Sequence, residues 1–364
     1  MSPTRRTSVK VMTGLTSLVI AAAGFAAAPA SANQPVDEFA GPSHPYRHGA
    51  VPAKGAGTAA AGKRTANLKF GGGVDGIGVT TGAPKVYLVF WGSQWGGQGT
   101  DANGYTTLSG DPAGIAVRAQ QLFKGLGTNG ETWSGVMTQY CDGAAKGATT
   151  CAASADHVGY PTGGALAGVW VDESVAAPGQ ATGNQLATEA VKAAGHFGNT
   201  TAASNRDAQY VVLSPTGTHP DGFNTSGGQF CAWHDWNGDT TLSGGAAPSA
   251  YGDIAFTNDP YVTDMGASCG QNYVNAGSAG TLDGVTIVYG HEYSETITDQ
   301  NPAGGWTDST GYENADKCAW KGTGGVGGAQ NVALATGSFA MQGTWSNDYN
   351  GGAGGCQISH PIVP

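Results

Sequence analysis

The chain has 364 residues, of which only 12% are charged and 62 are glycine, with 16 basic against 26 acidic side chains. The acidic balance argues against nucleic acid or an anionic membrane as partner. So sparse a charge leaves solubility to Ser, Thr, Asn and Gly, in long Gly-rich loops around a compact core.

Arg5, Arg6 and Lys10 precede an apolar run over 11–28, and Ala30-Ser31-Ala32 closes it. A basic head, an apolar middle and a small-x-small end predict a secretory signal peptide over 1–32, exported by the general or the twin-arginine route. Its removal takes 16 basic residues to 13 against 26 acidic ones, a net charge of −13. Residues 33–66 are rich in Ala, Pro, Gly and His without an apolar period, which predicts a disordered leader or pro-segment. Residues 67–364 are expected to form a single secreted, extracellular domain. No later apolar run approaches the roughly 20 residues a membrane span needs, and no Pro- or Ser-rich linker interrupts the chain.

The apolar, β-favouring run 86–91, opened by Lys85 after Pro84, predicts a strand. Helical spacing over 111–125 predicts a helix, with Asp111 as cap and Pro112 at the first helical position. Strands are expected at 165–171 and 209–213, with a helix over 184–196 between them. Residues 282–298 read as a helix that Asp283 can cap and Asn301-Pro302 stops. A strand is expected around 339–345. The alternation predicts an α/β or α+β fold, a mixed sheet with packed helices and a zincin-like active-site helix.

Six cysteines in an exported chain predict three disulfides. No Cys-x-x-Cys pair suggests a thiolate metal site. Of the 15 possible pairings, the neighbour order is expected: Cys141 with Cys151, Cys231 with Cys269, and Cys318 with Cys356.

The chemistry concentrates in His291-Glu292-x-x-Glu295. On a helix His291 and Glu295 stand one turn apart and about 40° around the axis, so both can reach one ion, while Glu292 points about 100° away. Zinc hydrolases use two such helix residues as ligands and the intervening glutamate as general base. With seven glutamates and eight histidines in the chain, such a motif arises by chance with a probability of about 0.3%. Glu313 is the expected third ligand, with Asp316 fixing it from behind or replacing it, and Cys318 holding their loop. One neutral His and two carboxylates cancel the charge of Zn²⁺, which weakens its hold on a bound water's proton. Ca²⁺ or Mn²⁺ would tolerate that set better. A second histidine, His234 or His219, would remove the difficulty, and Cys231 near His234 makes it the better candidate. Asp235-x-Asn237-Gly238-Asp239 lacks the glycine position and terminal glutamate of a calcium loop and reads as a surface turn. No Gly-x-Ser-x-Gly elbow supports a serine hydrolase.

In order along the chain, Val86-Tyr87-Leu88-Val89-Phe90-Trp91-Gly92, Asp283-Gly284, the His291 motif, Gly305-Trp306, Glu313-x-x-Asp316-x-Cys318 and a Gly-rich turn before Cys356 resemble the phosphate-induced, EXORDIUM-like family of secreted plant and bacterial proteins. The resemblance implies a secreted, cell-wall-associated role, in plants a growth-signalling one, and no particular reaction. The residues themselves point to a metal-dependent hydrolase, a zinc peptidase acting on a peptide or cell-wall substrate. In it His291, Glu295 and Glu313 hold the ion and Glu292 is the base. The alternative is a non-catalytic cell-wall or glycan-binding protein with a structural metal, in which Trp306, Trp320 and Trp345 stack on sugars.

Overall fold

The computed structural model describes residues 46–56 and 66–364; the expected signal peptide and most of the expected leader lie outside them. Six strands build one sheet: β1 (His48–Pro52), β2 (Lys85–Trp91), β3 (Leu166–Asp172), β4 (Ala208–Leu213), β5 (Phe230–Trp236) and β6 (Ala255–Asp259). Their spatial order is β1-β5-β6-β4-β2-β3. β6, β4, β2 and β3 run parallel, and β5 runs antiparallel to both β6 and β1. The sheet is therefore mixed. All six residues of β4 and all five of β6 are buried, as expected for strands covered on both faces.

Three long helices supply the cover: α1 (Ile115–Gly125), α2 (Gly183–His196) and α3 (Asp283–Thr298). α2 packs on β4, β6 and β2, while α1 and α3 touch each other. α3 lies along β5, β1 and β6. Each long helix starts for a local reason. Asp111 accepts the backbone N–H groups of Gly114, Ile115 and Ala116, so it caps α1 as expected, although Pro112 stays outside the helix. Thr182 and Gln185 form a reciprocal capping box on α2. Asp283 does not cap α3; its carboxylate instead accepts Val274 N, Asn275 N and Asn275 Nδ2.

Every residue of α3 is buried, which removes the possibility that its polar face is merely solvated. Ser294, Thr296 and Thr298 satisfy their hydroxyls on the carbonyls of His291, Glu292 and Ser294. His291, Glu292 and Glu295 cannot be satisfied within the helix and must be answered from outside it.

Two expectations need correction. Within the 33–66 segment expected to be disordered, residues 46–56 are part of the fold. Tyr46 and Arg47 are buried on Asp221, which accepts Tyr46 Oη at 2.8 Å and Arg47 Nε at 2.6 Å. His48 and Val51 stand opposite His234 and Ala232. A strand reading His-Gly-Ala-Val-Pro carries no alternation to reveal it; β5 supplies its ladder. The single strand expected at 339–345 is two, Gly337–Met341 and Thr344–Ser346, parted at Gln342-Gly343. That break turns Gln342 toward α3.

The three disulfides pair in neighbour order and no described cysteine is free. Two close loops with a sequence separation of 38, a length for which chain entropy gives about 3–4 kcal/mol each. One pins the start of β5, the other the loop after Glu313. No helix among the described residues is long and apolar enough to cross a membrane.

At the edge of the sheet, Lys192 pairs with Asp172 and lies 3.8 Å from Glu189. Burial, then Asp172, pushes Glu189 up to about 8, against the pull of Lys192. Asp172 is held at about 2, because Lys192 and Ser174 outweigh its burial. The raised Glu189 contributes stability that is complete below pH 4.5 and lost as pH rises toward 8. The depressed Asp172 contributes stability present above pH 3.8 and lost as pH falls through 2. Stability should therefore peak between these limits. Glu189→Gln should abolish an alkaline loss on the order of 2 kcal/mol between pH 5 and 8. Urea midpoints at the two pH values check this; an unchanged decline in the variant would contradict it.

Candidate metal centre

Three elements converge on the exposed-nowhere middle of α3. The helix brings His291, Glu292 and Glu295; β5 brings His234; the loop after Trp306 brings Glu313 and Asp316. All six are at most 4% exposed. The loop is tied to the helix by Asn314, whose Nδ2 donates to Ser294 O and Thr298 Oγ1 and whose Oδ1 accepts Ser294 Oγ.

His291 Nε2 and Glu295 Oε2 face each other at 2.9 Å, an ion-pair contact when the imidazole is protonated, and neither atom has a further hydrogen-bond partner. His291 Nδ1 lies 3.1 Å from Gln342 Oε1, and Gln342 Nε2 is committed to Ala315 O at 2.8 Å. The amide is thus oriented to accept from Nδ1–H, which turns Nε2 toward Glu295 and, at 3.6 Å, Asp316 Oδ1. Glu295 Oε1 is occupied by the N–H groups of Ala315 and Asp316 at 3.1 and 2.7 Å, so Oε2 is the free oxygen.

His234 Nε2 stands 3.2 Å from both oxygens of Glu313. The ligand-competent atoms fall into two triads, His291/Glu295/Asp316 and His234/Glu295/Glu313, each within 4.8 Å and sharing only Glu295. This revises the expected set: Asp316, not Glu313, completes the triad of His291 and Glu295, and Glu313 belongs with His234. The reason is the short turn at Asp316–Cys318, which carries Asp316 back toward the helix while its Oδ2 accepts Glu313 N at 3.1 Å. His219 takes no part. It is partly exposed, sits in neither triad, and its Nδ1 is 3.0 Å from Phe223 O rather than on Asp221.

The roof of the site is backbone. A Cβ built on Gly49 of β1 would stand 2.8 and 2.9 Å from His234 Cδ2 and Nε2 and would collide with Glu295 Oε2. Gly49 has φ +55°, a left-handed conformation that favours glycine. The position is a cradle that any side chain would fill.

Glu292 has no hydrogen bond at either oxygen. Burial pushes its carboxyl well up, His291 opposes this, and Glu295, Asp259 and Asp316 add to it. Burial lowers His291, but Glu295, Asp316 and Glu292 together hold it well above the usual imidazole range. Burial, with His48 and His291, holds His234 well below that range. Asp259, at the end of β6, also leaves both carboxylate oxygens without a partner and is pushed up by burial. Nothing in its sequence context marks Asp259, Gln342 or Gly49 as site residues.

The Asp235 stretch turns at Asn237-Gly238 as expected, with Gly238 and Asp239 partly exposed, but it does not lie wholly on the surface. Asp235 and Asn237 are buried, and Asn237 bridges Ala247 O and Ile254 N. Of the tryptophans assigned to sugar stacking, Trp306 and Trp345 are 0% and 5% exposed. Trp306 donates to Cys141 O. Neither offers a platform.

Comparison with protein-family models, curated proteins and solved structures returned no match.

Proposed function

We propose that the chain is a secreted metal-dependent hydrolase of amide bonds, with zinc as its ion. The observation that carries this reading is the 2.9 Å approach of His291 Nε2 and Glu295 Oε2 one helical turn apart and fully buried, with the unpartnered Glu292 between them in sequence. In this reading α3 works as a zincin-like helix. His291, Glu295 and Asp316 would hold the ion. When bound, zinc supplies Lewis acidity toward a water and the scissile carbonyl. Glu292 takes a proton from the attacking water on a carboxylate oxygen that nothing else occupies, and returns it to the leaving nitrogen. Gln342 keeps the imidazole of His291 turned to the centre, and the loop amides of Ala315 and Asp316 keep Glu295 from rotating. The likeness of the motif order to EXORDIUM-like wall proteins supports an extracellular peptide or wall-peptide substrate, as do three disulfides in a chain with a signal-like N-terminus.

A second reading, a wall-associated binding protein with a structural ion, has one observation in its favour: all the site's side chains are closed off, whereas a catalytic centre must admit a substrate. The hydrolase reading therefore requires an opening at the roof, where β1 is an edge strand paired on one side only. His291→Ala separates the readings. Metal content and hydrolysis of casein or mixed peptides should both be lost, with the parent showing both. A parent protein that holds metal but hydrolyses neither substrate supports the binding protein instead.

A further inference from the structure

We propose that the centre holds two divalent cations bridged by Glu295, the first on His291 and Asp316 and the second on His234 and Glu313. This rests on the metal-site reading above and deepens it. The five ligand atoms do not gather around one point; they form two triads whose only common member is Glu295. With Oε1 of Glu295 taken by two backbone amides, Oε2 is the oxygen left to be shared. The Gly49 cradle places it beside both imidazoles, since a Cβ there would strike Glu295 Oε2 and come within 2.9 Å of His234 Nε2, while His291 Nε2 is 2.9 Å from the same oxygen. Two-metal hydrolase sites space their ions roughly 3.5–4 Å apart, a separation that one bridging oxygen permits.

Charge supports the same count. A single ion on His291, Glu295 and Asp316 is neutralised by two carboxylates and leaves the buried Glu313 with His234 Nε2, 3.2 Å from both its oxygens, as its partner. Two divalent ions against Glu295, Asp316 and Glu313, with both imidazoles neutral, leave one positive charge. That equals the net charge of one zinc on two histidines and one carboxylate, the usual hydrolytic set. The second ion thereby removes the electrostatic weakness of a His-Glu-x-x-Glu motif.

The test uses zinc alone. The secreted protein is stripped with chelator, reloaded with zinc, dialysed and measured for zinc by mass spectrometry of the metal, with circular dichroism as the check on folding. Two zinc ions per chain are expected for the parent, one for Glu313→Gln and for Asp316→Asn. A second measurement does not depend on any variant folding. The Mn²⁺-loaded parent should give the many-line paramagnetic resonance spectrum of an exchange-coupled pair. One zinc per chain at saturation, or only the six-line spectrum of isolated Mn²⁺, overturns the proposal. One zinc with casein hydrolysis retained sinks the two-ion centre and leaves the hydrolase standing. Two ions without hydrolysis do the reverse.

Discussion

Glu292→Gln is expected to lower hydrolysis by roughly 10²- to 10⁴-fold while zinc content and unfolding midpoint stay at parental values. The substitution keeps the shape of a side chain that is 1% exposed and whose two oxygens make no hydrogen bond, so no structural contact is lost. It replaces a carboxylate that can accept a proton with an amide that cannot. Since Glu292 belongs to neither ligand triad, the ions should remain. Parallel measurement of turnover and metal content checks this. A variant that cleaves the same substrate at the parental rate would remove Glu292 from the chemistry and leave the helix a purely structural metal holder.

Gly49→Ala should have the largest effect outside the ligands themselves. Its methyl group would enter the space between His234 and Glu295, and the backbone at φ +55° disfavours any side chain. Strain of roughly 1–2 kcal/mol for the left-handed conformation and about 1–3 kcal/mol for overpacking should act together, and zinc retention should fall with them. Gly55→Ala is the matched control: it too has a positive φ, but a Cβ there meets nothing within 4 Å, so it should carry the backbone cost alone and keep its metal. Urea unfolding and zinc content of both variants decide the matter. Equal behaviour of the two would mean that β1 does not roof the site.

The helices, the strands β2, β3 and β4 and the disulfides were legible because their signals are local, whereas β5 and β6 went unread. An apolar run bounded by glycine and proline marks β2, and apolar residues at helical spacing mark α2. The parts that were not legible depend on partners distant in sequence. β1 has almost no strand character of its own, and its place is dictated by β5 and by the Tyr46 and Arg47 contacts to Asp221. The grouping of Asp316 rather than Glu313 with His291 and Glu295 follows from a three-residue turn whose direction spacing cannot report. Gln342 became a site residue because a strand breaks there. His234 over His219 was the one choice that sequence reasoning favoured and the geometry shares, through the disulfide at Cys231 that fixes the beginning of β5.

The most direct test of the account is restoration of activity. The purified secreted protein is assayed on casein before chelation, after exhaustive chelation and after stoichiometric zinc is returned. The account predicts hydrolysis, its loss, and its recovery in step with zinc bound per chain. Hydrolysis that survives removal of all metal, or zinc bound in full with no hydrolysis at any stage, would contradict it.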